Sequence, residues 1–390
     1  MKKIFAFAIA AVALTVGCQK NQIESPEVDP LDDGTPVPVV FGTNVATVST
    51  KAAVEGREEL LPFHVYGIDN AAEDLTATEF KFLLDEDITD GNTYSDGYTT
   101  TAYYGANKET YSFYGYYVGG LTVTPVMGTN TITIPVTITG QEDLMIGMTN
   151  KENDLNARPD KSQTLVVEDL YSAKSARRTV KPNLVFDHKL VRFDFKFTDG
   201  SKLNEEAAPE KSVWVEKVEV TSHTAGELVI THDATAPEDT LIVKGTAGTL
   251  TLGSSKPTQD DPENPWAPLV QFGLDPTPAL VDDAVHGTIM VMPIPEAAEG
   301  GEAPKQEYAL KLYLNQTGAT EAVPQDLTLA MGEGKEFEAG KKYTVNITVY
   351  GLEAVIVDVT VNDWTPGGSF TYDPDDTDST VTPDEPTVTP

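Results

Sequence analysis

Cys18 is the single cysteine of the chain, and it directly follows an apolar stretch, Ile4 to Val16, that Lys2 and Lys3 open. A positive start, a short apolar run and the small Gly17 before the thiol form the layout of a secretory signal. A cysteine at the first mature position can carry lipid on its sulfur and its amine. Residues 1–17 are therefore expected to be removed as a signal peptide, with Cys18 the lipidation site. Leu14 lies one place further from the cysteine than is usual in such signals. The run falls well short of the roughly 20 residues that a membrane-spanning helix needs.

Other residue sets that could do chemistry do not converge. His64, His188, His223, His232 and His286 lie far apart, and none has a histidine partner at the i, i+4 spacing of a helical metal site. His188 sits within a strand pattern and reads as a hydrogen-bonded structural residue. The stretch from Gly334 to Lys341 resembles a phosphate loop only in composition. Its spacing is wrong, Lys342 stands where a magnesium-binding hydroxyl belongs, and it reads as a hairpin turn between strands. Asp85, Asp87, Asp90 and Gly91 sketch a calcium loop whose glycine comes one place late and which no glutamate closes. Trp214, Trp266 and Trp364 are too dispersed for a sugar platform and read as core. No catalytic residue, metal ligand or cofactor is expected, and the chain does not read as an enzyme.

The elements that must position these residues are almost all strands. Alternation marks Phe63 to Ile68, Phe80 to Leu84, the aromatic run Tyr111 to Val118, and Thr131 to Thr139, where Pro135 implies an edge. Leu184 to Phe197 reads as one strand with Leu190, Arg192, Asp194 and Lys196 on one face and Val191, Phe193, Phe195 and Phe197 on the other. Val213 to Ser222, Glu227 to Thr231, Thr240 to Val243, Thr249 to Leu252, His286 to Met292, Glu307 to Leu314, Lys342 to Tyr350 and Val355 to Val361 follow. Helical periodicity is scarce, so the expected class is all-β, built of antiparallel sandwiches. A chain of 390 residues is long enough for two domains, each with its own core. The expected division is a lipid-anchored tether over 18–35, an N-terminal β-sandwich over 36–182, a C-terminal β-sandwich over 183–372, and an acidic Thr/Pro-rich tail over 373–390. Lys256 to Pro268 carries four prolines and reads as a surface loop. With 27 basic against 61 acidic residues the net charge is −34, which opposes binding to nucleic acid or anionic lipid surfaces.

The segment Val37 to Val45 stands apart. Val39, Phe41, Thr43 and Val45 share one face, while Pro36 and Pro38 remove two backbone donors, so the strand must lie at an edge or pair through one side. Lys51 and Arg57 follow in polar surroundings open to a trypsin-like protease. A cut at either would free the first strand and leave an apolar groove with an unpaired edge, which another chain's strand could fill.

Several segments, in order, resemble the fimbrillin family, the type V pilins of Gram-negative surface lipoproteins. Val39 to Ala52 is similar to the family's first strand and basic site, and Tyr111 to Tyr117 to its aromatic strand. Asp143-Leu144-Met145 resembles the motif that ends the first domain. Val185 to Phe193, with Phe186 and His188 spaced Phe-x-His, resembles the strand that opens the second. Glu338 to Ile347 and Val361 to Trp364 complete the series. The resemblance implies two transthyretin-like β-sandwich domains in tandem, in a precursor anchored to outer-membrane lipid through Cys18. It implies cleavage at Lys51 or Arg57, displacement of the strand holding Val37, Val39, Phe41 and Val45, and strand exchange with other fimbrial subunits to support adhesion to a host or bacterial surface. Beyond Tyr372 only Val381 and Val388 interrupt Asp, Thr and Pro, a poor donor strand, so a tip or accessory position is favoured over the stalk. The alternative is a monomeric outer-membrane lipoprotein that binds a glycan or protein through its loops.

Overall fold

The computed structural model of the chain describes residues 35–43, 61–71, 80–89, 93–94, 97–105, 109–157, 164–201, 203, 209–233, 238–257, 265–273, 284–295, 305–331 and 335–363. Cys18, Val45, Lys51, Arg57 and Trp364 lie outside these residues, as do the expected signal peptide and the acidic tail.

The chain is all-β. In its first half the strands are β1 (Val37–Thr43), β2 (Phe63–Asp69), β3 (Phe82–Ile88), β4 (Thr93–Tyr94), β5 (Gly97–Tyr104) and β6 (Tyr111–Tyr117). They continue with β7 (Val126–Met127), β8 (Thr131–Thr137) and β9 (Met145–Thr149). Two short helices, α1 (Lys151–Ala157) and α2 (Ala173–Ala176), precede β10 (Asn183–His188) and β11 (Val191–Asp199). The second half holds β12 (Val213–Thr231), β13 (Glu238–Gly253), β14 (Val270–Phe272) and β15 (Gly287–Val291). It ends with β16 (Glu307–Gln316), β17 (Val323–Ala330), β18 (Lys341–Tyr350) and β19 (Glu353–Asp363).

Among the described residues, three sheets result. The first runs β3-β2-β6-β9-β10-β1-β5-β4, the second β15-β11-β18-β19, and the third β17-β16-β12-β8-β7 with β13 and β14 also on β12. Alternation decides which side chains meet. Val39, Phe41, Tyr98 and Tyr104 from β1 and β5 pack on Phe63, Val65, Phe113 and Phe186 in one core. The second and third sheets close over a larger core around Phe193, Phe195, Val215 and Val345. Residues of opposite parity on β2 and β6, among them Tyr66 and Tyr114, pack into that larger core. Tyr114 Oη lies 2.9 Å from His232 Nδ1, a buried contact between the two halves.

Three expectations from sequence are revised. The strand expected over Leu184 to Phe197 breaks at Lys189. β10 belongs to the first sheet and β11 to the second, with Lys189 N–H donating to Leu144 O at 2.8 Å and Leu190 O accepting from Gly340 N–H at 2.8 Å. The first and second sheets therefore part near residue 189. β8, from the first half, pairs with β12 of the second from Thr131↔Thr231 to Thr137↔Ala225.

Arg192 and Asp194 share a face of β11. Both are buried, and Arg192 Nε donates to Asp194 Oδ1 at 2.7 Å. Val213 to Ser222 and Glu227 to Thr231 are one strand. Thr224 to Gly226 continue the strand, and the register shift between His223 and Ala225 puts an extra residue on β13, a bulge where Gly245 has φ +72°. A residue with no Cβ takes that conformation without strain. The segment ending at Lys341 is not a hairpin, because β17 and β18 lie in different sheets.

Candidate functional site

β1 is short, and the chain on either side determines how it pairs. From Val37 to Phe41 it is antiparallel to β5, with a register shift between Pro38 and Val40 where the proline cannot donate. Only at Gly42 and Thr43 does its other edge engage, parallel to Asn183 and Leu184 of β10. Gly42 permits that approach, since a Cβ there would lie 2.9 Å from Asn183 Oδ1. Gly42 N–H donates to Pro182 O at 3.1 Å, and Thr100 Oγ1 donates to Val39 O at 2.9 Å. Val39 and Phe41 have no exposed surface. The Phe41 ring meets Phe113 edge to face at 5.0 Å, and Phe113 in turn meets Tyr104 and Tyr171. The seat of β1 is thus a strand-shaped slot with an aromatic floor, one β-sheet edge along its length and a second at its end. That is the geometry of an extended segment added to a sheet edge, with backbone bonds for affinity and alternate pockets for selection.

The end of the slot is tied to a buried carboxyl. Asp154 of α1 is 5% exposed and accepts from Tyr171 Oη at 2.7 Å and from Asn183 N–H at 2.9 Å. Burial pushes its pKa up from 3.8 to about 6, against the lowering effect of those two donors. Asn183 is the residue against which Gly42 pairs, so Asp154 braces the β10 edge of the slot.

Two of the quoted motifs meet in space. His188 pairs with Met145 in the ladder, and its Nδ1 lies 2.9 Å from Asp143 Oδ2, both side chains buried. Gly340, from a further quoted segment, Glu338 to Ile347, approaches so closely that a Cβ would sit 3.0 Å from His188 O. Motifs far apart in sequence thus form one clasp where the sheets part. Periodicity placed His188 on a strand but carried no signal that it would touch Asp143 or Gly340.

The remaining candidates are dispersed. His223 Nδ1 faces Lys244 O, and His286 Nδ1 accepts from Phe197 N–H. Asp85 and Asp87 turn to the two ring nitrogens of His64 at 2.9 and 2.8 Å. Among the described residues no group of three His, Cys, Asp or Glu is placed to hold a metal ion. Trp214 is buried, and Trp266 Nε1 donates to Ser254 O. No helix among the described residues is long and apolar enough to cross a membrane.

The profile of a family described as fimbrillin-like matches residues 50–364. None of the curated proteins compared matches the chain. Among solved structures, a proposed cell adhesion protein from Bacteroides uniformis has a TM-score of 0.45 at 17% identity, over 86% of this chain and 100% of its own. The C-terminally truncated tip fimbrial protein Mfa3 of Porphyromonas gingivalis gives 0.35 at 8%, over 85% and 100%. The fimbrial anchor protein Mfa2 of the same organism gives 0.26 at 8%, over 85% and 98%.

Proposed function

The chain belongs to the fimbrillin-like family, and from that membership we propose that it is a structural subunit of a cell-surface fimbrium that supports adhesion, not an enzyme. In this reading it is exported as a lipoprotein through Cys18 and held at the outer membrane. A protease then cuts at Lys51 or Arg57, and the first strand leaves with the tether. A donor strand from another subunit takes the vacated slot.

The observation that carries the reading is the complete burial of Val39 and Phe41 in a strand that pairs mainly through one edge. At about 1.5–3 kcal/mol for each buried side chain, these two contribute on the order of 5 kcal/mol gross to whichever segment occupies the slot. Ordering a donor strand takes back part of that.

Controlled trypsin treatment of the soluble protein, followed by sizing and N-terminal sequencing, tests the proposal. Oligomer ladders whose chains begin after Lys51 or Arg57 are expected. A cut protein that stays monomeric, with β1 retained in its slot, would instead favour a monomeric surface lipoprotein.

A further inference from the structure

On the face of β2 and β6 opposite Phe41, the structure holds a cavity of about 510 Å³ that the assembly slot does not use. Its volume falls in the range of small-ligand sites, roughly 300–1,000 Å³. The lining is divided. One side is apolar, formed by Tyr116, Val118, Leu121, Val123 and Met127. The other carries Asp85 and Asp87, whose side chains are 50% and 71% exposed at the rim.

Between them His64 is 15% exposed and lies against Tyr116, with ring centroids 5.1 Å apart and planes inclined by 25°. The two His64 nitrogens each meet one oxygen of a carboxylate, so the ring fixes the acids in place at the rim. No lysine or arginine among the described residues lines the cavity. The polar end therefore offers fixed, negatively charged acceptors, which disfavour a phosphate or carboxylate and match a group rich in N–H donors.

We propose that this cavity binds an ammonium or guanidinium group carried on an aliphatic stem, with the charge at Asp85 and Asp87 and the stem along Leu121, Val123 and Met127. Such a group can come from a free amine or from a basic side chain of another protein, and the recognition chemistry is the same. The site does not depend on removal of β1, so it can be tested on the uncut monomer, where a failure would leave the assembly reading untouched.

Isothermal titration of the full chain with agmatine, and in parallel with acetyl-Ala-Arg-Ala-amide, decides the matter. Saturable binding of at least one probe is expected, weakened on the order of tenfold or more by Asp85→Asn with Asp87→Asn. Both substituted side chains are exposed at the rim, and a thermal melt checks that the variant remains folded. Binding of the peptide without agmatine assigns the source to a protein chain, and the reverse assigns it to a free amine. No binding of either probe, or equal binding by the folded variant, overturns the proposal.

Discussion

Phe41 and Asp154 act on the same slot by different physics. Phe41 contributes by filling it, so Phe41→Ala should destabilise the intact chain by about 3–5 kcal/mol, the usual cost of emptying a buried aromatic position. Urea unfolding would measure the loss. If β1 departs on maturation, the same substitution should leave the stability of assembled oligomers unchanged, and an equal loss in both states would count against displacement. Asp154 acts through its proton. Its pKa in the folded chain, about 6, lies above its ordinary value of 3.8, so the native state binds the extra proton between those two pH values. Stability from this group is therefore greatest below pH 4 and falls as pH rises toward 6, by about 3 kcal/mol at most. Asp154→Asn keeps an acceptor for Tyr171 and removes the titration. Its stability relative to wild type should rise from pH 4 to pH 7 in urea melts, and a constant difference would mean that the carboxyl is not penalised by burial.

At the scale of elements, much of the architecture was legible because side-chain alternation reports directly on burial. Val37, Val39 and Phe41 share the core-facing side of β1, and Tyr111 to Tyr117 forms β6, with aromatic residues entering both cores. What stayed hidden depends on partners distant in sequence. Leu184 to Phe197 is apolar enough to read as one strand, and only the hydrogen bonds at Lys189 and Leu190 divide it between two sheets. β5 and β17 went unread because threonine, proline and acidic residues hide a half-exposed strand behind loop-like composition. The pairing of His188 with Asp143 has no local signature, since neither residue's surroundings name the other. The clasp they share with Gly340 makes its own prediction. Gly340 has φ +70° and no room beside His188 O, so Gly340→Ala should cost on the order of 1–2 kcal/mol from the left-handed conformation alone. A thermal melt unchanged by that substitution would show that the seam tolerates displacement.

For the whole molecule, a net charge of −34 means that every subunit repels the next. The proposed strand exchange would have to overcome that repulsion, which salt screens within a Debye length. Ladder formation by the cut protein should therefore quicken between about 20 mM and about 500 mM NaCl. A rate that falls with salt would point to attractive ion pairs at the joint. The central claim is that β1 occupies a slot which assembly requires to be empty. Val40 and Thr99 lie opposite each other in the β1–β5 ladder. In a Cys18→Ser background, Val40→Cys with Thr99→Cys can bolt β1 in place through a disulfide. The most direct measurement is the size distribution of this protein after trypsin, before and after a reductant is added. Monomer under oxidising conditions, turning to ladders on reduction, is the predicted result; ladders of equal extent while the strand is locked would contradict the account.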